Sequence, residues 1–150
     1  MTLDELQAKA ERDLKIDDTE LDLESLKTPQ LHSQYLKTYS TYALMLKKAE
    51  GDHSQLHLKK WLFYTGKAEP QEYKDKNFDL KVLRQDVDKF IDADEDIIKS
   101  KQKVEYLKQI CGYCESTLKQ INNRTFQIKN AIEWKTVSYT HLTLPTTPYV

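Results

Sequence analysis

The residues able to do chemistry are few, and most fail on spacing. Cys111-Gly112-Tyr113-Cys114 has the CxxC spacing of a redox dithiol. That chemistry wants the first cysteine at a helix N-terminus following a strand, where the dipole lowers the thiol pKa. Here the motif lies inside a long helical repeat, which favours two buried seam cysteines. A zinc site would need two further ligands, and His32, His53, His57 and His141 form no suitable pair nearby. Asp92-Ala93-Asp94-Glu95-Asp96 lacks the ligand spacing and the glycine of a calcium loop. His53 and His57 share a helix face without the glutamate of the zinc-protease pattern. Gly51, Gly66 and Gly112 are too dispersed to cradle a phosphate. No Ser/His/Asp set or paired carboxylates stand on a loop. The sequence therefore predicts no catalytic residue, no metal ligand and no cofactor.

One stretch differs. His57-Leu58-Lys59-Lys60-Trp61-Leu62-Phe63-Tyr64-Thr65-Gly66-Lys67 interleaves bases with aromatics. Cations meet phosphates and aromatic faces stack on unpaired bases, a pairing suited to single-stranded nucleic acid. Lys59, Lys60, Trp61, Tyr64 and Lys67 are the candidate contacts. The competing reading places Trp61 and Phe63 in the core, with the lysines solvating the other face.

These residues must be positioned by helices. The chain has 150 residues, 39% hydrophobic and 31% charged, enough for one domain or for one domain plus an assembly segment. Three glycines and four prolines are too few for a turn-rich sheet protein. No apolar run approaches the ~18 residues of a membrane helix, and no signal peptide opens the chain. Acidic and basic segments alternate: residues 1–27 and 76–98 are net negative, 28–75 and 99–137 net positive. The expected fold is all-α, with short N-terminal helices, a long central helix and a long C-terminal helix. Thr2-Leu3-Asp4-Glu5 reads as a capping box, followed by Leu3, Leu6, Ala10 and Leu14 at helical spacing. A short piece carries Leu21, Leu23 and Leu26. Thr28-Pro29 reads as the start of the central helix, which Gly51-Asp52 weakens and Gly66 ends. Residues 67–77 read as a loop, and Leu80, Leu83, Val87, Phe90 and Ile91 as a short amphipathic helix.

The last helix carries a seven-residue repeat. One register is Ile97, Val104, Cys111, Leu118, Thr125, Ile132; the other is Ser100, Leu107, Cys114, Ile121, Ile128, Lys135. A helix packed without supercoiling drifts ~20° per heptad, so the sustained repeat suggests a coiled-coil-like seam. Ile97, Val104, Leu107, Cys111, Cys114, Leu118, Ile121, Ile128 and Ile132 are the candidate self-assembly residues. One long helix of a monomeric bundle would show the same stripe. The organisation expected is a DNA-binding helical region over 1–91, an oligomerisation helix over 92–137, and a tail over 138–150. The tail SYTHLTLPTTPYV has no Asp, Glu, Lys or Arg, contains Pro145 and Pro148, and reads as non-native or disordered rather than helical.

Over nearly all of residues 1–137 the sequence resembles the UvsY family, recombination mediators of T-even-type phages. The resemblance lies in Leu3-Asp4-Glu5-Leu6-Gln7, Ile16-Asp17-Asp18-Thr19, the stretch from Leu58 to Gly66, and Phe126-Gln127-Ile128-Lys129. It implies a non-enzymatic protein that binds single-stranded DNA and forms a homo-oligomer of six or seven subunits. Such a protein would help a RecA-like phage recombinase, UvsX, replace the phage single-strand-binding protein in the cytoplasm of the infected host. The family's DNA motif has two bases separated by one residue; the second matches Lys60, whereas the first falls on Leu58 with Lys59 beside it. A helical phage scaffold or assembly adaptor without DNA contact is the alternative reading.

Overall fold

A computed structural model describes residues 1–78 and 80–143, with side chains through residue 140. Among the described residues all regular structure is helical. The helices are α1 (Leu3–Asp13), α2 (Leu21–Tyr64), α3 (Pro70–Asp75), α4 (Val87–Ala93) and α5 (Glu95–Thr143), with a 3-10 turn at Arg84–Asp86. The chain divides into two compact units, one from residues 1–40 and 112 onward, the other from residues 41–111.

In the first unit the expected capping box forms. Thr2 Oγ1 accepts from the Glu5 N–H at 3.2 Å, and Glu5 Oε2 accepts from the Thr2 N–H at 3.0 Å. Leu6 and Ala10 then bury the inner face of α1. α2 begins at Leu21, not Thr28, and Pro29 lies inside it. Pro29 removes one backbone donor, but Leu21, Glu24, Thr28, Leu31 and Tyr35 keep one stripe at spacings of three and four. Tertiary packing of that stripe outweighs the lost bond, so two expected elements are one. Gly51 likewise sits within the same continuous helix.

The first part of α2 runs antiparallel to the last part of α5. Tyr39 Oη donates to Glu115 Oε1 at 2.9 Å, Arg124 reaches Glu24, and Lys135 Nζ donates to the Asp18 carbonyl. Arg124 and Glu24 are both buried and ion-paired. Arg124 Nη1 also donates to the Glu24 carbonyl at 2.7 Å and to Thr28 Oγ1 at 3.0 Å. Lys27 donates to Glu24 Oε1, and it and Arg124 hold the Glu24 carboxyl below its ordinary pKa against the upward push of burial. Tyr35, 1% exposed, donates to Asp13 Oδ2 at 2.8 Å and fastens α1.

In the second unit the remainder of α2 meets the beginning of α5. One cluster joins Ala49, Val104 and Leu107, with Tyr42 and Leu46 against it. Another joins Val87, Ile91 and Ile97, with Leu56, Trp61, Tyr64 and Val82. Two expectations change here. Residues 67–77 contain α3, started by Pro70 in the first turn, where a missing N–H costs nothing. The helix expected from Leu80 begins only at Val87; Leu80 and Leu83 are exposed and precede the 3-10 turn.

The heptad stripe of α5 faces inward for most of its length. Ile97, Val104, Leu107, Cys111, Cys114, Ile121 and Ile128 are buried within the single chain, and Leu118 is half-buried. They are covered by packing inside the chain. From Ile110 onward burial follows Ile110, Thr117 and Arg124 in place of Leu118 and Thr125. Of the expected assembly residues Ile132 alone is exposed, at 42%. α5 also continues past Val137 to Thr143. Residues 144–150 of the expected tail lie outside the described residues.

The buried pair yields a stability test. Arg124→Met leaves the buried Glu24 carboxylate with Lys27 as its remaining cation and should cost about 3 kcal/mol. Glu24→Met with Arg124→Met should recover most of that loss. Urea unfolding midpoints of the parent and both variants measure it; equal midpoints for parent and single variant would contradict the pair's role.

Candidate nucleic-acid interface

α2 ends at a glycine that no other residue would replace without strain. Gly66 has φ +79°. Its N–H donates to the Phe63 carbonyl at 3.2 Å, and the Lys67 N–H donates to the Leu62 carbonyl at 2.8 Å. These are the two bonds of a Schellman cap. The cap folds the chain back, and Lys67 Nζ lies 4.7 Å from the centroid of the Trp61 ring, a cation–π contact.

The base–aromatic run is thereby divided among three flanks of one helix. At ~100° per residue, Lys59 and Trp61 stand about 200° apart around α2. Lys59 is exposed on its own flank. Lys60 and Tyr64 face the start of α5. Phe63 is buried in an aromatic group: Tyr73 stacks on it at 4.7 Å, Phe78 lies at 5.1 Å, and Lys76 covers it at 4.8 Å. Tyr73 Oη donates to the Phe63 carbonyl at 2.6 Å, which ties α3 to the end of α2.

Lys60 is the chief departure from the expected site. It is 4% exposed, with Nζ 2.8 Å from Asp96 Oδ2 and 3.2 Å from Asp94 Oδ2. Tyr64 Oη donates to Asp94 Oδ2 at 2.6 Å, and the Asp96 N–H donates to Asp94 Oδ1 at 2.9 Å, capping α5. Burial pushes the Asp94 carboxyl up, but donation from Tyr64, Lys60 and the Asp96 N–H outweighs it and leaves the pKa below its ordinary value. Lys60 lowers Asp96 as well. For Lys60, burial favours the neutral amine, yet the two carboxylates more than compensate and its pKa rises. Burial, followed by the bond to Asp94, pushes Tyr64 up to about 12. Burial and the neighbouring Lys60 lower Lys76. Lys60 and Tyr64 thus hold the frame together, and a strand cannot reach the Lys60 ammonium without opening its ion pairs.

On the third flank Trp61 and Lys67 line an open cleft of about 250 Å³ with Thr65, Val82, Arg84 and Val87. Trp61 is half-buried, and Lys67 and Arg84 are exposed. Among the described residues neither cation has a carboxylate within ion-pair distance. Sequence reasoning missed Arg84 because it arrives from the 3-10 turn, beyond a loop and α3; no local pattern marks it. Among the described residues no group of three or more His, Cys, Asp or Glu side chains could hold a metal ion. Among the described residues no helix is long and apolar enough to cross a membrane.

Known proteins resemble this arrangement over most of its length. A family model described as "Recombination, repair and ssDNA binding protein UvsY" matches residues 9–139. The recombination protein uvsY of Enterobacteria phage T4 is 23% identical over 130 residues, spanning 87% of this chain and 92% of that relative. A crystal structure of the bacteriophage T4 recombination mediator protein UvsY superposes with a TM-score of 0.80 at 24% identity, covering 93% of this chain and 98% of that one. A second, in another lattice, gives 0.79 at 21% identity, covering 92% and 99%.

The charge cluster makes stability depend on pH in a defined sense. Asp94 and Asp96 have lowered pKa values, so their contribution is complete above the ordinary carboxylate range and is lost as pH falls through the lowered values. Lys60→Met, which leaves Asp94 buried without its cation, should cost about 3 kcal/mol at neutral pH. The gap between parent and variant should narrow below about pH 4, where the carboxylates protonate. Denaturant melts across pH 2.5–7 measure it; a gap independent of pH would remove the carboxylates from the account.

Proposed function

We propose, because the chain belongs to the UvsY family of recombination, repair and single-stranded-DNA-binding proteins, that it is a recombination mediator. In this reading it binds single-stranded DNA through the Trp61 flank of α2. It then helps a RecA-like phage recombinase, UvsX, replace the phage single-strand-binding protein in the cytoplasm of the infected host. The observation that supports the DNA surface is that Lys67 and Arg84, which have no carboxylate within ion-pair distance among the described residues, line one cleft with a half-buried indole. Lys59 adds positive charge on another flank, whereas Lys60 and Tyr64 act as framework.

No bond is made or broken in such a role, and no cofactor is called for. Each protomer offers few phosphate contacts and should bind weakly alone. A homo-oligomer of six or seven copies would raise the effective concentration of sites along one strand. A strand held this way becomes a poorer lattice for the single-strand-binding protein and a better one for the recombinase. Because the heptad seam is buried within the protomer, assembly is assigned to the exposed end of α5. There Ile132 continues the line of Ile121 and Ile128 beyond its cover, with Val137 also exposed.

Two measurements test this function. Lys67→Ala with Arg84→Ala should weaken binding to single-stranded DNA and lower the log–log salt slope by about 1.4, at ~0.7 per phosphate contact. An unchanged affinity across the salt range would move the DNA site elsewhere. Separately, Ile132→Asp should yield smaller species in sedimentation without lowering the unfolding midpoint, since Ile132 is exposed in the protomer. A parent that sediments as a monomer at micromolar concentration would end the assembly reading.

A further inference from the structure

We infer that the cleft beside Trp61 is a slot for one unpaired nucleobase, with the Lys67 ammonium and the Arg84 guanidinium on the adjoining phosphates. This rests on the reading of the chain as a single-stranded-DNA binder and states how the strand is held. Part of the indole packs on the cluster of Val87, Ile91 and Ile97. The rest lines the cleft, whose other walls are Val82, Val87 and Thr65. The Thr65 hydroxyl already donates to the carbonyl of Trp61 at 2.7 Å. The walls are thus a flat π-face and apolar carbon, which would take any base. At about 250 Å³ the cleft is smaller than the roughly 300–1,000 Å³ of sites for drug-sized ligands, so it suits part of a nucleotide.

Lys67 shows that the indole face is accessible. Its ammonium lies over the ring at 4.7 Å, where a stacked base would lie. Cation–π attraction at an exposed site is weak, and stacking of a base on an aromatic ring is stronger. A base would displace the ammonium from the ring, and the freed cation, held nearby by the Schellman cap, would meet the phosphate beside that base. Stacking and charge neutralisation are thus linked at one residue. The same geometry makes the slot indifferent to sequence but sensitive to the presence of a base.

The test compares an oligothymidylate with an abasic deoxyribose-phosphate strand of equal length, both short enough to favour one protomer. The parent should bind the thymidylate about tenfold more tightly than the abasic strand. Trp61→Leu should abolish the preference while leaving the salt slope unchanged, and Trp61→Phe should retain part of it. The ratio of the two affinities within one variant does not depend on the folded fraction, so loss of stability cannot imitate the result. Equal binding of both strands by the parent, or an undiminished ratio in Trp61→Leu, overturns the slot while leaving DNA binding intact. Failure of the parent to bind either strand overturns the single-stranded-DNA reading itself.

Discussion

The Lys60 ammonium lies out of solvent between Asp94 and Asp96, and a charge so placed persists only where opposite charge and hydrogen bonds meet it. That requirement organises the second unit. Asp94 receives Tyr64 and Lys60 while capping α5, so one carboxylate joins the end of α2 to the start of the last helix. With Lys60 and Tyr64 drawn to that side, the helical period sets Trp61 on the next flank, beside Tyr64 against the cluster of Val87, Ile91 and Ile97. The Gly66 cap then brings Lys67 over the indole. The open cleft and the closed charge cluster thus lie on neighbouring flanks of one helix end.

The first unit meets the same constraint with Arg124 and Glu24. Replacing such a pair by apolar residues is often neutral or favourable, so its presence is not explained by stability alone. A buried guanidinium bonded to a carboxylate, a carbonyl and a hydroxyl on one turn of α2 is satisfied in few alignments of the two helices. Arg124 Nε remains buried without a hydrogen-bond partner among the described residues. The pair therefore acts against slippage of the α5 seam, whose small and aliphatic residues would accept several registers.

Under the proposed function, weak sites multiplied by assembly would suit a protein that must hold a strand and later release it. A site with two cations and one indole would bind a strand with modest strength and strong salt dependence. Exchange among competing proteins is then governed by differences in binding, and avidity rather than a tight single contact sustains the complex. A frame behind the site whose lysine is held by carboxylates fits this role, because it fixes geometry without adding to the attraction for phosphate.

The sequence by itself determined the all-α fold, the capping box at Thr2, the end of α2 at Gly66 and the apolar stripe of α5. Each depends on periodicity or on a local backbone rule that acts within a few residues. It also marked the run from Lys59 to Lys67 as the place where charge and aromaticity meet. Only tertiary structure decided which of those residues are available. Lys60 and Lys67 are alike in composition, but Lys60 finds Asp94 and Asp96, 34 and 36 positions away in the chain, and is neutralised. Arg84 enters the cleft from beyond α3, and no local pattern announces it. The heptad stripe could be covered by another chain or by α1 and α2, since apolar burial is non-directional; packing within one chain took most of it and left the end of α5 exposed.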